Sequence, residues 1–300
     1  MASQFTGIFG VTVTPFTSDG TRVDEAGVGQ LVDALIVDGI ERIVPCGNTG
    51  EFFSLTSDER RLVVAQTVHA ARGRAVVVAG VGGSPADALE QARDAARAGV
   101  DALMIHHPSH PYVTGEGLLA YCAAMADASG LPIIPYLRSP AIDDTALLSL
   151  VRRPEVVAIK YAVNDLPAFG RAVAMASGEA EVAWICGTAE TWAPSFWSHG
   201  AVGFTSGLVN VTAGPSLELL DALRAGDRGR VIQTWSRIHP FEQLRARRSD
   251  GLNVSTVKEA MRQIGRPSGP VRPPSSEVGE AERAEIAAIL RAWSMTGAAA

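Results

Sequence analysis

Lysine is almost absent from this chain of 300 residues. Its 26 basic side chains comprise 24 arginines and only two lysines, Lys160 and Lys258. A chain that uses arginine for its surface charge does not need lysine for solubility. Arginine cannot supply an amine that loses its proton, because a guanidinium stays charged whereas a lysine pKa falls on burial. The scarcity therefore directs attention to these two amines.

The chain also lacks a net positive charge, long apolar runs and paired cysteines. The formal net charge is −6, which argues against nucleic acid or an anionic membrane as a partner. The apolar runs fall short of the roughly 20 residues that a membrane span needs, and no signal-like segment opens the chain, so we expect a cytoplasmic protein. The three cysteines, Cys46, Cys122 and Cys186, lie far apart and form neither a C-x-x-C pair nor a zinc spacing, which indicates reduced thiols.

Lys160 ends a short apolar stretch, Val156-Val157-Ala158-Ile159. Such β-branched runs are typical of buried parallel strands, so the lysine is placed at the edge of a sheet. Lys160 is therefore the first candidate for a nucleophilic amine that forms a Schiff base with a carbonyl substrate. The alternative is an ordinary strand-end lysine that extends its amine into water.

Strand and helix patterns alternate along the first three quarters of the chain. Strands are predicted over 8–14, 40–46, 75–79, 101–105, 132–136, 154–160, 182–186 and 202–205. Helices are predicted over 25–37, 57–71, 84–99, 115–129, 143–151 and 190–198. Glycines at positions 39, 99 and 200 stop helices just before strands. This alternation of strands and helices predicts a (β/α)₈ TIM barrel over residues 1–226, with an open doubly wound sheet as the alternative.

Only helical patterns follow the eighth strand, over 215–224, 228–248, 254–264 and 281–293. A proline-rich connector, Gly269 to Pro274, interrupts them. We therefore predict a C-terminal helical region over residues 227–300, in which the last residues, 297–300, fray.

A barrel of this kind carries its chemistry at the carboxyl ends of its strands. Lys160 would attack a keto group there, and Tyr136, at the end of the preceding strand, would relay a proton. The turn Gly47-Asn48-Thr49-Gly50 offers backbone amides and a hydroxyl to a carboxylate. A tyrosine that only covers the barrel mouth is the alternative for Tyr136. A metal site is an alternative for this edge of the barrel, with His106, His107 and His110 as its ligands. Against it, adjacent residues of a strand point in opposite directions.

The order of these motifs resembles that of a known family. Thr14-Pro15-Phe16, the turn from Gly47 to Glu51, a tyrosine ending strand five and a lysine ending strand six are similar to the dihydrodipicolinate synthase and N-acetylneuraminate lyase family of Schiff-base aldolases. The resemblance implies a barrel with C-terminal helices, assembled as a homotetramer that is a dimer of dimers. It further implies an imine between Lys160 and pyruvate or another 2-keto acid, with Tyr136 as proton shuttle and Thr49 on the keto-acid carboxylate. No metal and no organic cofactor is expected.

Several positions depart from the lysine-pathway synthases of that family. Asn48 stands in place of a threonine, Ser109 and His110 in place of a tyrosine pair, and Ala141 in place of an arginine. Other motifs resemble the 5-dehydro-4-deoxyglucarate dehydratase branch, namely the run from Thr49 to Thr56, Arg138, Phe204-Thr205-Ser206 with Asn210, and Lys258 with its proline-rich connector. This chain also departs from the usual pattern of that branch, at Leu137, Ser139, Tyr161 and Ala162. These departures leave the exact substrate open.

These observations predict a Schiff-base lyase or dehydratase acting on pyruvate or a 2-keto sugar acid. The expected catalytic residues are Lys160, Tyr136 and Thr49. The expected substrate contacts are Gly47, Asn48, Gly50, Arg138, Gly203, Ser206 and His110, with Arg138 receiving a distal carboxylate. The alternatives are an aldolase or synthase of the same family, a protein that binds keto acids without catalysis, and a metal-dependent hydrolase that uses the three histidines.

Overall fold

The structure of the chain is a computed structural model that describes residues 2–139, 142–179 and 181–295. Ala141 and the last residues, 297–300, on which two of the expectations fall, lie outside the described residues.

Eight parallel strands form a closed barrel in chain order. They are β1 (Gly7–Val11), β2 (Arg42–Val44), β3 (Val76–Val81), β4 (Ala102–Ile105), β5 (Ile133–Leu137), β6 (Ala158–Tyr161), β7 (Ala183–Cys186) and β8 (Gly203–Ser206). Strand β1 pairs with both β2 and β8, which closes the ring. The prediction of a TIM barrel is confirmed, and the open sheet is wrong because the barrel has no free edge.

Helices follow the strands and form the outer layer. They are α1 (Glu25–Val37), α2 (Ser57–Ala71), α3 (Pro85–Ala98), α4 (Gly115–Ser129), α5 (Asp144–Val151), α6 (Leu166–Ala176), α7 (Ala189–Trp197) and α8 (Gly214–Ala225). The C-terminal region adds α9 (Arg228–Ala246), α10 (Asn253–Gln263) and α11 (Glu280–Ala292). Within the described residues, no helix is both long and apolar enough to cross a membrane.

Side-chain oxygens cap most of the helix starts. Thr56 accepts from the backbone of Glu59, whose carboxylate returns to the Thr56 backbone, so α2 begins with a capping box. Thr56 is therefore the residue that caps α2, and Ser57 is the first residue of the helix. Helix α6 was not predicted, although Asp165 caps it and Pro167 lies in its first turn, both of which are ordinary start signals.

The apolar core has two parts. One lies between the strands and the surrounding helices, and the other fills the barrel with side chains such as Phe9, Val44, Met104 and Ile134. Phe5, at the end of a short N-terminal 3₁₀ helix, is fully buried in this inner core. The interior of the barrel is thus filled by side chains and forms a packed core, not a pore.

The C-terminal helices pack against the last part of the barrel. Helix α9 lies against α7 and α8, while α10 and α11 pack on α9. The predicted division at residues 226 and 227 coincides with the end of α8, where Gly226 takes a φ of +66°, but it stays a prediction as a domain boundary.

Candidate active site

Lys160 and Tyr136 lie side by side on neighbouring strands. The register of β5 and β6 pairs them directly. The Lys160 Nζ atom lies 3.8 Å from the centroid of the Tyr136 ring, and only 3% of Lys160 and 5% of Tyr136 are exposed. A lysine at this position is therefore removed from bulk water and faces the phenol.

Burial lowers the pKa of the Lys160 amine from 10.5 to about 7, and the positive charge of Arg138 acts in the same direction. Desolvation disfavours the charged form of a lysine, and a neighbouring cation disfavours it further. A large fraction of the amine is therefore neutral near pH 7, as nucleophilic attack requires.

Tyr136 keeps its proton at neutral pH. Burial is the main cause that raises its pKa above 10, against the charge of Arg138 and a hydrogen bond from Asn48. In that bond the Asn48 Nδ2 atom donates to the phenol oxygen at 3.3 Å. Because the phenol oxygen already accepts from Asn48, its own proton is free to be donated into the site.

The turn that carries Asn48 and Thr49 is held in an unusual backbone shape. Cys46 and Glu51, at its two ends, both have a φ of +57°. A Cβ on Gly50 would lie 2.9 Å from the Thr12 carbonyl oxygen, so only glycine fits there. The Thr14 hydroxyl donates to the Gly50 carbonyl at 2.7 Å, which ties the segment after β1 to this turn.

The second lysine of the chain, Lys258, holds the end of this turn through Glu51. Lys258 Nζ lies 2.6 Å from Glu51 Oε1, with both side chains buried, and it also donates to the Pro270 carbonyl at 2.9 Å. The Arg272 backbone amide donates to the other carboxylate oxygen of Glu51. Helix α10 and the proline-rich connector are thereby fastened to the turn that forms one wall of the site.

A cavity of about 450 Å³ opens above Lys160 at the carboxyl ends of the strands. Its polar lining, in addition to Lys160 and Tyr136, consists of Asn48, Thr49, Arg138, Asn164, Thr188, Thr191, Thr205, Glu242, Arg245, Asp250 and Asn253. Five of the residues singled out in the sequence, Lys160, Tyr136, Asn48, Thr49 and Arg138, thus meet around one space. Gly47 and Gly50 flank Asn48 and Thr49 in the turn.

Five of the seven expected substrate contacts do not line this cavity; besides Gly47 and Gly50 these are Gly203, Ser206 and His110. Gly203 is the first residue of β8 and pairs with Gly7. The Ser206 hydroxyl faces the other way and accepts from the Val209 amide at 3.2 Å. Since side chains alternate along a strand, Thr205 faces the cavity in place of Ser206, and Gly207, just after β8, also lines it. His110 is exposed on the β4–α4 loop, where its Nδ1 atom accepts from the Tyr112 amide at 3.1 Å.

The three histidines do not converge. His106 is buried, stacks on Phe52 with ring centroids 4.2 Å apart and places Nε2 2.9 Å from the Cys46 carbonyl oxygen. Burial lowers the His106 pKa to about 4. In the described part of the chain, no three His, Cys, Asp or Glu side chains are grouped to hold a metal ion. His106 instead supports the start of the Gly47–Glu51 turn.

The structure adds a wall that sequence reasoning missed. Glu242 and Arg245 of α9 form a buried ion pair at 2.7 Å, and Asp250 and Asn253 follow at the α9–α10 connection. The sequence marked this region only as helical, and no local signal there indicates that α9 ends over the barrel mouth.

A buried carboxyl lies near this wall. The Glu190 Oε1 atom accepts from the Ser216 hydroxyl at 2.6 Å. Burial raises the Glu190 pKa to about 7, and the charge of Glu242 adds to that effect. Glu190 therefore lies close enough to the Glu242–Arg245 pair for its ionisation to depend on it, although it does not line the cavity.

Comparison with known proteins places this architecture in a family. Residues 4–293 match the model of the dihydrodipicolinate synthetase family. The chain belongs to this family. It is a carbon–oxygen or carbon–carbon lyase of the class I aldolase type, as the sequence motifs indicated.

Relatives within the family carry different names. A probable 5-dehydro-4-deoxyglucarate dehydratase of Methylobacterium radiotolerans is 35% identical over 95% of this chain and 94% of its own. The crystal structure of a dihydrodipicolinate synthase from Bacillus clausii is 41% identical, covers 98% of this chain and 99% of its own, and superposes with a TM-score of 0.95. The structure of YagE from E. coli K12 in complex with pyruvate is 26% identical, covers 97% and 99%, and has a TM-score of 0.87.

Proposed function

We propose that the protein is a Schiff-base dehydratase or lyase that acts on a hydroxylated 2-keto acid, with a 5-dehydro-4-deoxyglucarate dehydratase-like reaction as the first candidate. The observation that carries the proposal is the buried Lys160 amine, whose pKa is lowered to about 7 and which lies 3.8 Å from the centre of the Tyr136 ring. The dehydratase name of the Methylobacterium relative supports the choice of reaction.

The proposed reaction begins when neutral Lys160 attacks the keto carbon and water leaves, which yields an imine. The imine nitrogen then withdraws electrons, so that a proton on the next carbon leaves and an enamine forms. The enamine expels the hydroxyl on the following carbon as water, which takes its proton from Tyr136, and the proton that left the carbon returns to the phenolate, so that the two transfers balance. Hydrolysis of the resulting imine frees the product and regenerates the amine.

The other lining residues have matching roles. Thr49 and the amides of the Gly47–Gly50 turn would hold the carboxylate beside the keto group. Arg138 lies at the mouth, with its Cζ atom 5.8 Å from the centroid of the Tyr136 ring, and makes no ion pair with another described residue. A guanidinium in this position suits a carboxylate at the far end of the substrate.

A second candidate is an aldolase or synthase that breaks or forms a carbon–carbon bond next to the imine. The 41% identity to the Bacillus clausii synthase favours it. Both candidates share the imine, and the pyruvate bound to YagE is consistent with a keto acid as the ligand of this site. We also propose that the protein acts in the cytoplasm and that it is a homotetramer. Sedimentation velocity tests the oligomeric state.

Borohydride trapping tests the imine, because reduction fixes the ligand as a permanent mass on the lysine. We expect pyruvate and 5-dehydro-4-deoxyglucarate to add their reduced masses at Lys160 and not at Lys258 in peptide mass spectra. Unlabelled Lys160 at saturating concentrations of both compounds would refute the proposal. Assays of a keto-acid panel for pyruvate release, CO2 release and condensation then separate dehydratase, aldolase and synthase.

A further inference from the structure

The C-terminal region supplies a second polar wall to the cavity that contains Lys160. Arg245 at the end of α9, Asp250 in the α9–α10 turn and Asn253 at the start of α10 all line it. We call these three residues the C-terminal subsite. None of them belongs to the imine, phenol or carboxylate-binding groups assigned above, so their presence in the cavity needs an explanation.

Arg245 is held rigidly at this wall. Its NH1 group donates to Glu242 Oε1 at 2.7 Å, and its NH2 group donates to Asn253 Oδ1 at 2.8 Å. Nε donates to the Asn253 carbonyl at 3.4 Å. A guanidinium carries five N–H donors, so these three bonds leave two unused.

A missing side chain gives Arg245 access to the cavity. A Cβ on Gly207 would lie 2.5 Å from the Arg245 NH2 atom and 3.2 Å from Thr49 Cγ2. Gly207 therefore allows the guanidinium to approach the same part of the cavity as Thr49. Because Glu242 neutralises the charge of Arg245, this donor group suits a hydroxyl oxygen better than a second carboxylate.

Asp250 lies in a backbone turn of rare conformation. Arg248, Ser249 and Asp250 have φ values of +56°, +54° and +65° in succession. Non-glycine residues in this region are strained, and such strain persists where the surroundings enforce it, often at functional sites. Here Arg247 and Arg248 pin the turn to α11 through ion pairs of 2.7 Å with Glu285 and 2.9 Å with Glu282.

The Asp250 carboxylate has an unused hydrogen-bonding capacity. It makes no side-chain hydrogen bond or ion pair with any other residue in the described ranges, although it shares the cavity with the cation of Arg138. Its charge contributes to the raised pKa of Tyr136, which places it within electrostatic reach of the phenol. Arg138 and Asp250 thus border the same space with opposite charges that do not meet.

We propose that the C-terminal subsite binds the hydroxyl groups of a substrate whose far carboxylate is received by Arg138. Arg245 and Asn253 contribute fixed polar groups, and Asp250 accepts from the hydroxyls. The subsite selects 2-keto acids that carry hydroxyls between the keto group and a distal carboxylate over hydroxyl-free keto acids of the same length. This inference rests on the proposed imine at Lys160.

The test compares two ligands of equal length that both form an imine. The concentration that gives half-maximal borohydride trapping is measured for 5-dehydro-4-deoxyglucarate and for 2-oxoadipate, which has no hydroxyls. In the wild type we expect the hydroxylated acid to be preferred. Asp250→Ala should reduce that preference about tenfold, the effect of one lost hydrogen bond to a charged group, and Arg245→Lys should also reduce it.

Ser249→Ala is the matched control, because Ser249 lies in the same strained turn without lining the cavity, and it should keep the wild-type preference. Circular dichroism verifies that each variant is folded. An unchanged preference in a folded Asp250→Ala protein overturns the inference, as does an equal loss for both ligands. Failure of the proposed function is distinct, since the wild type would then trap neither ligand.

Discussion

The two lysines of the chain occupy similar surroundings and differ in one respect. Each is 3% exposed, and each places its amine against an aromatic ring, at 3.8 Å from the centroid of Tyr136 for Lys160 and 4.2 Å from that of Phe16 for Lys258. Lys258 has the Glu51 carboxylate at 2.6 Å, whereas the strongest charge acting on Lys160 is the cation of Arg138.

This difference separates a structural amine from a nucleophilic one. Burial lowers the pKa of both lysines, but Glu51 opposes that effect at Lys258, whereas none of the carboxylates in the described ranges does so at Lys160. Burial alone is therefore not what prepares a lysine for attack. The absence of a counter-charge is equally necessary.

Replacement of Lys160 tests the comparison with the largest expected effect. Lys160→Ala should abolish borohydride trapping and lower kcat/KM at least about 10³-fold, because no other side chain in the cavity can form the imine. Lys160→Arg is the matched control that restores a cation without a nucleophile, and it should be equally inactive. Trapping of keto acid on Lys258 in either variant would contradict the assignment.

Tyr136→Phe gives Lys160 the same kind of ring that Lys258 already has. Loss of the phenol removes the proton donor, so kcat should fall about 10²- to 10⁴-fold. The concentration for half-maximal trapping should change much less, as measured at long incubation times. Asn48→Ala, which removes only the hydrogen bond to the phenol, should have a smaller effect; a larger one would show that the phenol is not the main donor.

Lys258→Met should act on stability and not on the chemistry itself. It leaves the Glu51 carboxylate buried without its cation, which costs about 3–5 kcal/mol in the free energy of unfolding. Urea unfolding followed by circular dichroism measures this loss. The double variant Lys258→Met with Glu51→Leu should regain most of it, since a buried ion pair can often be replaced by apolar groups. A double variant no better than the single one would contradict the role of the pair.

The pH dependence of trapping gives the smallest and most specific test. The amine of Lys160 must be neutral, so the trapping rate with pyruvate should rise with pH through a midpoint near 7, the value to which burial and Arg138 lower its pKa. Arg138→Gln removes a cation that disfavours the charged amine and should move the midpoint to higher pH. Arg171→Gln, at an exposed arginine that pairs with Asp144, is the control and should not move it.

Much of the fold follows from local sequence, because helix caps and apolar strands are short-range signals. Helix α6 is the exception. Its start, Asp165-Leu166-Pro167, carries ordinary capping signals, so no tertiary effect accounts for its absence from the prediction. The position of Lys160 was likewise predictable, since a lysine that ends an apolar strand of a barrel must lie at the mouth.

The composition of the cavity was only partly predictable. Thr205 and Ser206 are neighbours in sequence, and which of them faces the site depends on strand parity that the sequence pattern did not resolve. Arg245 and Asp250 line the cavity because α9 packs on α7 and α8. That packing depends on contacts between residues distant in sequence. The contact between Asn48 and Tyr136 joins residues 88 positions apart and has no local signature.

The burial of both lysines has a practical consequence for chemical labelling. Apart from the amino terminus of the chain, the folded protein offers no primary amine to reagents too large to enter the cavity. Amine-reactive dyes and cross-linkers should therefore leave both lysines of the folded molecule unmodified, while a small aldehyde that fits above Lys160 should label that one lysine. The extent of Lys160 labelling in the native protein would then measure which reagents can enter the barrel mouth.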